Sequence, residues 1–416
     1  MRQRYAMNNI KYLLIGGYAA AHAAKAIRER DSDGTILLVN SESHLPYERP
    51  PLSKDALFDP STTPQATEVF DKSWYDENNV EVLLKTTVRE INRERRIVVL
   101  ENGEALGYEI LLLATGASAK KPEFEGAQFP NVFSIRAWED IEALRAAIAG
   151  GGKAVVVGGS YLGVEAASGC LKRGLEVTIV DSHSGPWSKF AAPDLQEFVK
   201  SSYEKLGAKW VFDQKIKKVA GLGRAGEVET DGDSIPCDFV VAATGATLNT
   251  ELAKKCGLEV DPKNGVVVDE MLRSSDKSVF VAGDCACFYD ASVGRRWHTE
   301  HYQNALWQGQ IAGANMAGDS QKFDHAPYFF SDFLDLHMVL RGDPMGGKNT
   351  KTLGDMASGE FIQLYADDEK VVKMALAITH DKAKSEQIAL ELETPVRANR
   401  QLDSFSKGEF GGFFGT

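Results

Sequence analysis

Cysteine is scarce in this chain and unevenly placed. Five of the 416 residues are cysteine, and none of them lies between Met1 and Gly169. No two have the C-x-x-C spacing of a dithiol redox motif. We therefore expect reduced thiols in a cytoplasmic protein, rather than a disulfide framework, at Cys170, Cys237, Cys256, Cys285 and Cys287.

Long apolar runs and an excess of positive charge are also missing. No run approaches the roughly 18 apolar residues of a membrane span, and residues 1–9 are polar, so we predict neither a span nor a secretory signal. The formal net charge is −12, which repels phosphate backbones and makes nucleic acid a poor partner. The eight histidines show no metal-ligand spacing, and we predict no metal site.

Glycine is plentiful, with 38 residues, and it clusters after short apolar runs. Residues 11–15 and 154–157 are such runs, and each is followed by a glycine turn, a helical segment and a second apolar run. This order predicts two strand–turn–helix–strand units, each typical of a dinucleotide-binding domain.

The second glycine turn carries the clearer signal. Gly158 and Gly163 allow a tight turn with a closely packed helix, so backbone N–H groups can face a pyrophosphate, and the small Ser160 replaces the middle glycine. Asp181 ends the next strand, where an acid binds the ribose hydroxyls of NAD. No arginine follows at residues 182–184, so we predict NADH rather than NADPH; the alternative is an ordinary turn with a surface aspartate.

The first turn fits the pattern less well. Gly16, Gly17 and Ala20 do not match G-x-G-x-x-G literally, although an alanine-rich helix could still pack close to the strand. Glu42, after the next apolar run, is the candidate acid. Taken alone, this turn could also be purely structural.

Three further apolar strands end in small or acidic residues. Two end in Ala-Thr-Gly, at Ala114, Thr115 and Gly116 and again at residues 243–245, and the third ends at Gly283 and Asp284. A carboxylate at such a strand end can bind ribitol or ribose hydroxyls, or it can cap a helix.

With these motifs stands the segment Leu45-Pro-Tyr-Glu-Arg-Pro-Pro-Leu-Ser-Lys54, and Pro-Tyr-Phe-Phe-Ser-Asp follows at residues 327–332. In this order they make the chain resemble the FAD-dependent pyridine nucleotide–disulfide oxidoreductases. The branch it is similar to holds ferredoxin and rubredoxin reductases, monodehydroascorbate reductase and apoptosis-inducing factor. The resemblance covers residues 10 to about 390.

The resemblance implies an α/β fold with two Rossmann-like dinucleotide-binding domains, for FAD and for NAD(H), and a small α+β C-terminal domain. The FAD domain would comprise residues 1–118 and 245–326, the NAD(H) domain 119–244, and the last domain 327–416. We expect the glycine- and phenylalanine-rich tail from Ser404 to be flexible. Alternatively, its four phenylalanines pack on the C-terminal domain or on a second subunit of a homodimer.

The resemblance also implies which residues bind the cofactors. FAD would be bound by Gly16, Gly17, Ala20, Glu42, Arg49, Lys54, Val88, Ala114, Thr115, Gly116, Arg136, Gly283, Asp284, Glu300, His301, Tyr302 and Phe330. NADH would be bound by Gly158, Ser160, Tyr161, Leu162, Glu165 and Asp181, with Thr244 and Gly245 as further cofactor contacts. A helix starting at residues 300–302 would point its N-terminus at the flavin, stabilising the charge that forms on reduction.

Lys54 and Glu165 would converge near flavin N5, where the hydride arrives, and form the catalytic pair. Without the resemblance they could be two unrelated surface residues.

Two departures from the family pattern stand out. The first glycine turn is one residue short of a Gly-Gly-Gly start, and Leu248 stands where relatives often have proline. The missing cysteines in the N-terminal part exclude disulfide-reductase chemistry. Cys285 and Cys287 could form a redox or metal pair, but a lone C-x-C is better explained by packing.

Three functions remain open. The favoured one is an NADH-dependent reductase of a ferredoxin- or rubredoxin-type protein, which would dock on a local basic patch such as Arg295 and Arg296. The second is a reductase of a small acceptor such as monodehydroascorbate or a quinone. The third is a slowly turning-over NAD-sensing flavoprotein similar to apoptosis-inducing factor.

Overall fold

A computed structural model describes residues 9–190 and 192–414. The chain forms two compact units. The first comprises the residues up to Glu48 with Thr63–Ser118 and Thr247–His325, and the second comprises Arg49–Thr62, Ala119–Ala246 and the residues from Ala326 onward. Most of the N-terminal segment in which we expect no secretory signal, and the last two residues of the tail, lie outside the described residues.

The core of the first unit is a seven-stranded sheet, mostly parallel. Its strands, in order across the sheet, are Val80–Leu83, Ile36–Val39, Asn9–Gly16, Ala105–Ala114, Ile97–Leu100 and Val88–Asn92, and Val279–Val281 also pairs with Ala105–Ala114. Ile36–Val39 and residues 111–114 of the strand Ala105–Ala114 are apolar and buried on both faces, as expected for parallel strands covered by helices.

A smaller sheet and four α-helices complete the first unit. The sheet is formed by Val260–Asp261, Gly265–Val267, Ala286–Asp290 and Arg295–Trp297. The α-helices are Tyr18–Arg28, Lys72–Glu77, Glu251–Lys255 and Tyr302–Met316, with a 3-10 turn at Gln65–Thr67. We call Tyr18–Arg28 the first-turn helix and Tyr302–Met316 the Tyr302 helix.

The second unit is built on a parallel five-stranded sheet. Its order is Lys209–Val211, Glu176–Val180, Lys153–Val157, Phe239–Ala242 and Val132–Phe133, and an antiparallel sheet of Ile216–Ala220, Glu227–Thr230 and Ser234–Pro236 follows along the chain. The α-helices of this part are Asp55–Phe58, Trp138–Ala149, Tyr161–Lys172 and Pro193–Glu204, with a 3-10 turn at Pro50–Ser53. We call Tyr161–Lys172 the second-turn helix. Both predicted strand–turn–helix–strand units are confirmed.

The C-terminal part of the second unit is an antiparallel sheet with short helices. Its strands are Tyr328–Phe333, Leu336–Gly342, Val372–Thr379, Glu360–Ala366 and Asn349–Asp355, in that order across the sheet. The α-helices are Lys382–Glu391, Glu393–Arg397 and Gly411–Phe414, with 3-10 turns at Leu402–Ser404 and Lys407–Phe410. Short strands Ala117–Ala119 and Ala246–Leu248 lie where the chain passes between the units.

The tail is packed, which corrects our expectation of a flexible end. Phe405, Phe410 and Phe413 are buried in the apolar cluster of the C-terminal sheet, and Phe414 packs against it. These side chains are large enough to repay the ordering of a short glycine-rich segment.

Two observations bear on the expected domain division. Residues 49–62, which the sequence analysis assigned to the FAD domain, group with the second unit, as does the C-terminal region.

Across the described ranges 9–190 and 192–414, no helix has both the length and the apolar character needed to cross a membrane.

Glycines on the Tyr302 helix set its distance from the first-turn helix. A Cβ atom at Gly309 would lie 2.3 Å from the carbonyl oxygen of Ala19, and one at Gly313 would lie 2.4 Å from that of Ala23. Real Cβ atoms do not approach this closely, so only glycine fits at both positions. The alanine-rich sequence of the first-turn helix is therefore explained by close packing between helices.

We predict that Gly313→Ala lowers the free energy of unfolding by about 1–3 kcal/mol, because the added methyl group forces two backbones apart. Alanine normally stabilises a helix relative to glycine by about 1 kcal/mol, so the sign of the effect is diagnostic. Urea unfolding of both chains measures it. Gly412→Ala, in the helix Gly411–Phe414, is the matched control. A Cβ atom there would lie 3.7 Å from the nearest neighbouring atom, which is an ordinary van der Waals contact. A Gly313→Ala protein as stable as the parent would contradict the packing argument.

Candidate functional site

The second glycine turn has the close contacts that a nucleotide-binding turn requires. Gly158 has a φ of +108°, and a Cβ atom there would lie 2.4 Å from the carbonyl oxygen of Ala243. At Gly163 a Cβ atom would lie 1.8 Å from the carbonyl oxygen of Gly158, so the second-turn helix can touch the turn only because position 163 has no side chain. Ser160 is the N-cap and Tyr161 the first residue of the second-turn helix. The backbone N–H groups at the start of this helix have no partner within it and are directed at the glycine turn.

Asp181 lies beside this turn, directly after the strand Glu176–Val180. One carboxylate oxygen accepts the backbone N–H of Gly159 at 2.5 Å, and the other accepts that of His183 at 2.8 Å. The ring Nδ1 of His183 is 2.7 Å from the second oxygen. The Asp181 side chain is 11% exposed, so it can reach a ribose placed on the turn.

The first glycine turn repeats the opening of the second. Gly16 has a φ of +138°, and a Cβ atom there would lie 2.0 Å from the carbonyl oxygen of Ala114. Ala114 and Ala243 both begin an Ala-Thr-Gly segment, so each turn starts with a glycine against the equivalent alanine of the adjacent strand. The first turn then differs, because Gly17 is already the N-cap of the first-turn helix and Ala20, fully buried, stands where the second turn has Gly163.

Asn40, which the sequence analysis missed, is a polar residue beside this turn. It follows the strand Ile36–Val39 directly, as Asp181 follows its own strand, and its Nδ2 atom would be 3.9 Å from a Cβ at Gly17. The predicted acid, Glu42, accepts a hydrogen bond from the hydroxyl of Tyr47. The position immediately after the strand was the signal that could have identified Asn40.

Gly283 and Asp284 follow the strand Val279–Val281, and Gly283 faces the Tyr302 helix. The N–H of Gly283 donates to Oε1 of Gln308 at 2.8 Å, and Asp284 is buried. Within the described part of the chain, Nε2 of the fully buried Gln308 and Oγ1 of the buried Thr299 have no hydrogen-bond partner. Buried polar atoms are nearly always paired, so these two fit a bound group rich in hydrogen-bonding atoms, as FAD is.

The Tyr302 helix begins where the sequence analysis placed a helix start. His301 is its N-cap, and its Nδ1 accepts the N–H of Gln303 at 3.3 Å. Glu300 precedes it, with a carboxylate oxygen 2.9 Å from Nε2 of His298. The helix N-terminus therefore carries a partial positive charge near these residues.

The second unit holds a buried carboxylate with three partners. Glu165, on the second-turn helix, is 7% exposed, and its Oε1 lies 2.7 Å from Nζ of Lys54. The hydroxyl of Ser331 donates to the same oxygen at 2.7 Å, and that of Ser53 donates to Oε2 at 2.5 Å. Lys54 and Glu165 are thus brought together as predicted. Burial, and the negative charge of Glu165, hold the pKa of Tyr203 well above its usual value.

Ser53 and Ser331 were not singled out as site residues from the sequence. Ser53 directly precedes Lys54 in the Pro-Pro-Leu-Ser-Lys segment, and Ser331 is a small polar residue buried in a strand of aromatic residues. A fully buried serine in such a strand needs a hydrogen-bond partner, and that requirement was the available signal.

Aromatic rings border the Lys54–Glu165 pair. The Lys54 ammonium is 5.0 Å from the ring centroid of Phe330, close enough for a cation–π interaction. Next to Phe330, Phe329 stacks on Tyr161 with centroids 6.2 Å apart. Burial raises the pKa of Tyr161, so its hydroxyl stays neutral. Leu162 follows Tyr161 on the second-turn helix and is half-buried.

The segment that carries Lys54 is anchored within the second unit. Arg145 donates to the carbonyl oxygens of Ala56 and Thr62, the latter at 2.8 Å. The ring of Phe58 covers Gly169 so closely that a Cβ there would lie 1.6 Å from it. These contacts fix residues 55–62 and thereby the position of Lys54.

The remaining predicted cofactor residues lie in ordinary structural contacts. In the second unit, Arg49 donates to the carbonyl oxygen of Arg136 at 2.5 Å. The hydroxyl of Thr244, next to Gly245, donates to the carbonyl oxygen of Lys120 at 3.2 Å. In the first unit, the hydroxyl of Thr115, beside Gly116, donates to the carbonyl oxygen of Asn249 at 2.7 Å. Val88 is the buried first residue of its strand.

Cys285 and Cys287 are completely buried. Burial raises the pKa of both thiols, that of Cys287 to about 11, so both remain protonated and unreactive at neutral pH. Among residues 9–190 and 192–414, no group of three or more histidine, cysteine or acidic side chains could hold a metal ion.

Comparison with known proteins agrees with this geometry. Residues 11–309 match the family described as pyridine nucleotide-disulphide oxidoreductase. The chain is 33% identical to the anthranilate 1,2-dioxygenase system ferredoxin–NAD(+) reductase component of Burkholderia cepacia, over 84% of this chain and 86% of that one. It is 34% identical to a rubredoxin–NAD(+) reductase of Pseudomonas putida, over 78% and 84%.

The fold is also that of a solved relative. The crystal structure of the ferredoxin reductase for the CYP199A2 system from Rhodopseudomonas palustris superposes with a TM-score of 0.87 at 27% identity, covering 96% of this chain and 99% of that one. The mixed α/β class and the two nucleotide-binding folds predicted from the sequence are confirmed. The chain belongs to the pyridine nucleotide-disulphide oxidoreductase family.

Proposed function

We propose that this protein is an FAD-dependent reductase that oxidises NADH and passes the electrons to a ferredoxin- or rubredoxin-type carrier. The observation that carries the proposal is the pair of glycine turns, one in each unit, each opening with a glycine against the alanine of an Ala-Thr-Gly segment. The family implies binding of FAD and NAD(H), and several relatives are named as ferredoxin or rubredoxin reductases.

We assign FAD to the first unit, where Asp284, Gln308 and Thr299 supply buried polar groups. When bound, FAD links the two-electron chemistry of NADH to the one-electron chemistry of a carrier protein. The chain itself supplies orientation and charge: Asp284 accepts hydroxyl hydrogen bonds, and the start of the Tyr302 helix offers a partial positive charge to an anionic ring edge.

We assign NADH to the second unit. Its pyrophosphate would lie on the turn of Gly158 to Ser160, and its adenosine ribose would donate to Asp181. A 2′-phosphate would instead meet a carboxylate with the ring of His183 beside it and no arginine at residues 182–184. The arrangement therefore favours NADH over NADPH.

We assign Lys54 and Glu165 to the hydride-transfer step. A buried carboxylate with an ammonium and two hydroxyl donors is fully compensated, so the pair is held in one geometry. In that geometry Glu165 holds the Lys54 ammonium against the ring of Phe330. A fixed positive charge favours a reaction in which negative charge arrives at the acceptor.

The five cysteines of the chain are free thiols, and four of them are buried. This supports our further proposal of a cytoplasmic location, where such thiols remain reduced. Fractionation of the native cells, with a cytoplasmic marker enzyme, checks it.

The acceptor is tested by a panel. The purified protein is reduced with NADH under anaerobic conditions and mixed with a ferredoxin, a rubredoxin, a quinone or monodehydroascorbate, and flavin reoxidation is followed by absorbance. We expect the ferredoxin and the rubredoxin to reoxidise the flavin at least about tenfold faster than the two small acceptors do, because shape and charge complementarity hold a protein carrier in place. Fast reoxidation by the small acceptors alone would overturn the carrier assignment, and the absence of any flavin reduction by NADH would overturn the proposed reaction.

We predict that Lys54→Met slows reduction of the bound flavin by NADH at least about tenfold, since the variant keeps the length of the side chain but removes its charge. Anaerobic stopped-flow absorbance measures this rate, and flavin content and melting temperature show whether the protein is intact. Lys205→Met, at an exposed position of the second unit, is the control and should reduce at the parent rate. Equal rates for the parent and Lys54→Met would remove Lys54 from the mechanism.

We also predict that Asp181→Ala reduces the preference for NADH over NADPH by about 10- to 100-fold, because it removes a charged hydrogen-bond acceptor for the ribose and a repulsive charge for the 2′-phosphate. The ratio of kcat/KM for the two cofactors is the measurement. Asp231→Ala, an exposed acid elsewhere in the same unit, should leave the ratio unchanged. A parent protein that uses both cofactors equally well would contradict the role of Asp181.

A further inference from the structure

Two serine hydroxyls hold the carboxylate of Glu165 from two different chain segments. The hydroxyl of Ser331 donates to Oε1 at 2.7 Å, and that of Ser53 donates to Oε2 at 2.5 Å. Both serines are buried. Each carboxylate oxygen therefore accepts one hydrogen bond from a hydroxyl, and Oε1 also lies 2.7 Å from Nζ of Lys54.

A glutamate carboxylate does not hold its own orientation. The last torsion of the glutamate side chain, χ3, is broad and has no sharply preferred value. The lysine opposite is less constrained still, because its ammonium lies at the end of a flexible four-carbon stem. An ion pair of Glu165 and Lys54 without further contacts would leave both side chains free to move together, and the position of the ammonium would be poorly defined.

A serine hydroxyl has much less freedom of this kind. Its oxygen is one rotatable bond away from the backbone, so a serine on a fixed element places that oxygen accurately. Ser53 is the last residue of the 3-10 turn Pro50–Ser53. Ser331 lies within the strand Tyr328–Phe333, which pairs with Leu336–Gly342 along its whole length. The two hydroxyls therefore give the carboxylate a defined position that the ion pair does not.

The strand that carries Ser331 contacts the second-turn helix at a second point. The N–H of Leu334, directly after the strand, donates to the hydroxyl oxygen of Ser168 at 2.7 Å. Ser168 lies one turn after Glu165 on the same helix and is also buried. Both contacts join the strand region to the helix through one serine hydroxyl, but the contact at Ser331 involves the carboxylate that pairs with Lys54.

We propose that Ser331 and Ser53 are positioning residues for hydride transfer, because they fix the carboxylate that holds the Lys54 ammonium. This inference rests on the proposed function, since it takes Lys54 as the group that assists the transfer. Loss of either hydroxyl lets the carboxylate turn, and the ammonium then leaves its place 5.0 Å from the ring centroid of Phe330. The C-terminal sheet thereby acts on the reaction through Ser331.

The test compares Ser331→Ala with Ser168→Ala as the matched control. Each variant removes one buried hydroxyl between the strand region and the second-turn helix, so both should lower the melting temperature by a similar few degrees. We expect Ser331→Ala to slow reduction of the bound flavin by NADH at least about threefold in anaerobic stopped flow, because a small displacement of an assisting group costs rate. Ser168→Ala should reduce at the parent rate. Ser53→Ala, on a different element, should repeat the effect of Ser331→Ala.

A double variant separates a positioning role from a structural one. In the Lys54→Met background the ammonium is absent, so adding Ser331→Ala should slow reduction no further. A readout independent of the reaction is the rate at which an amine-acylating reagent labels Lys54 in the full-length protein as purified, measured by mass spectrometry. We expect Ser331→Ala to raise this rate at least about threefold over the parent and Ser168→Ala, since the ammonium is no longer held in one place.

The inference is overturned if Ser331→Ala and Ser168→Ala reduce at the same rate, or if Ser331→Ala leaves the labelling of Lys54 unchanged. It is also overturned if Ser331→Ala slows the Lys54→Met protein as much as it slows the parent. Equal rates for the parent and Lys54→Met would instead show that the proposed role of Lys54 is wrong. The labelling rate would then still report whether the serines hold the ammonium, so the two failures are distinguishable.

Discussion

The second unit depends on the compensation of one buried charge. Glu165 lies in an interior where an unpaired carboxylate would cost several kcal/mol, and three donors from two other chain segments satisfy it. Ser53 and Lys54 come from the segment that precedes the helix Asp55–Phe58, and Ser331 comes from the C-terminal sheet. The carboxylate therefore fixes the position of both segments against the second-turn helix, and the position of the Lys54 ammonium follows from it.

The backbone around that pair is held by hydrogen bonds from one arginine side chain and by the packing of one phenylalanine ring. Arg145 binds the carbonyl oxygens of residues 56, 59 and 62, and Phe58 fills the space above Gly169. Such contacts keep a charged side chain in one orientation without adding a further charge to the site. They explain why residues 49–62 belong structurally to the second unit, although the next segment of that unit begins only at Ala119.

In the first unit, glycines determine how closely backbone segments pack. Gly16, Gly309 and Gly313 each allow one backbone to touch another, and together they determine where the first-turn helix begins and how closely it packs. In the proposed function, the same helix also presents its N-terminus to the pyrophosphate of FAD.

The Lys54–Glu165 pair was expected only from the resemblance to a family, whereas the sequence alone determined the two strand–turn–helix–strand units and the strands that end in Ala-Thr-Gly. Their signals are local, since glycine spacing and apolar runs dictate backbone conformation within about thirty residues. The sequence did not determine Ser53 or Ser331 as partners of Glu165, nor that the tail phenylalanines would be buried. Only the tertiary structure decided these features, because each depends on which distant segment lies opposite. A hydroxyl becomes a partner of Glu165, and an aromatic ring becomes part of a core, only when the fold brings residues far apart in sequence into contact.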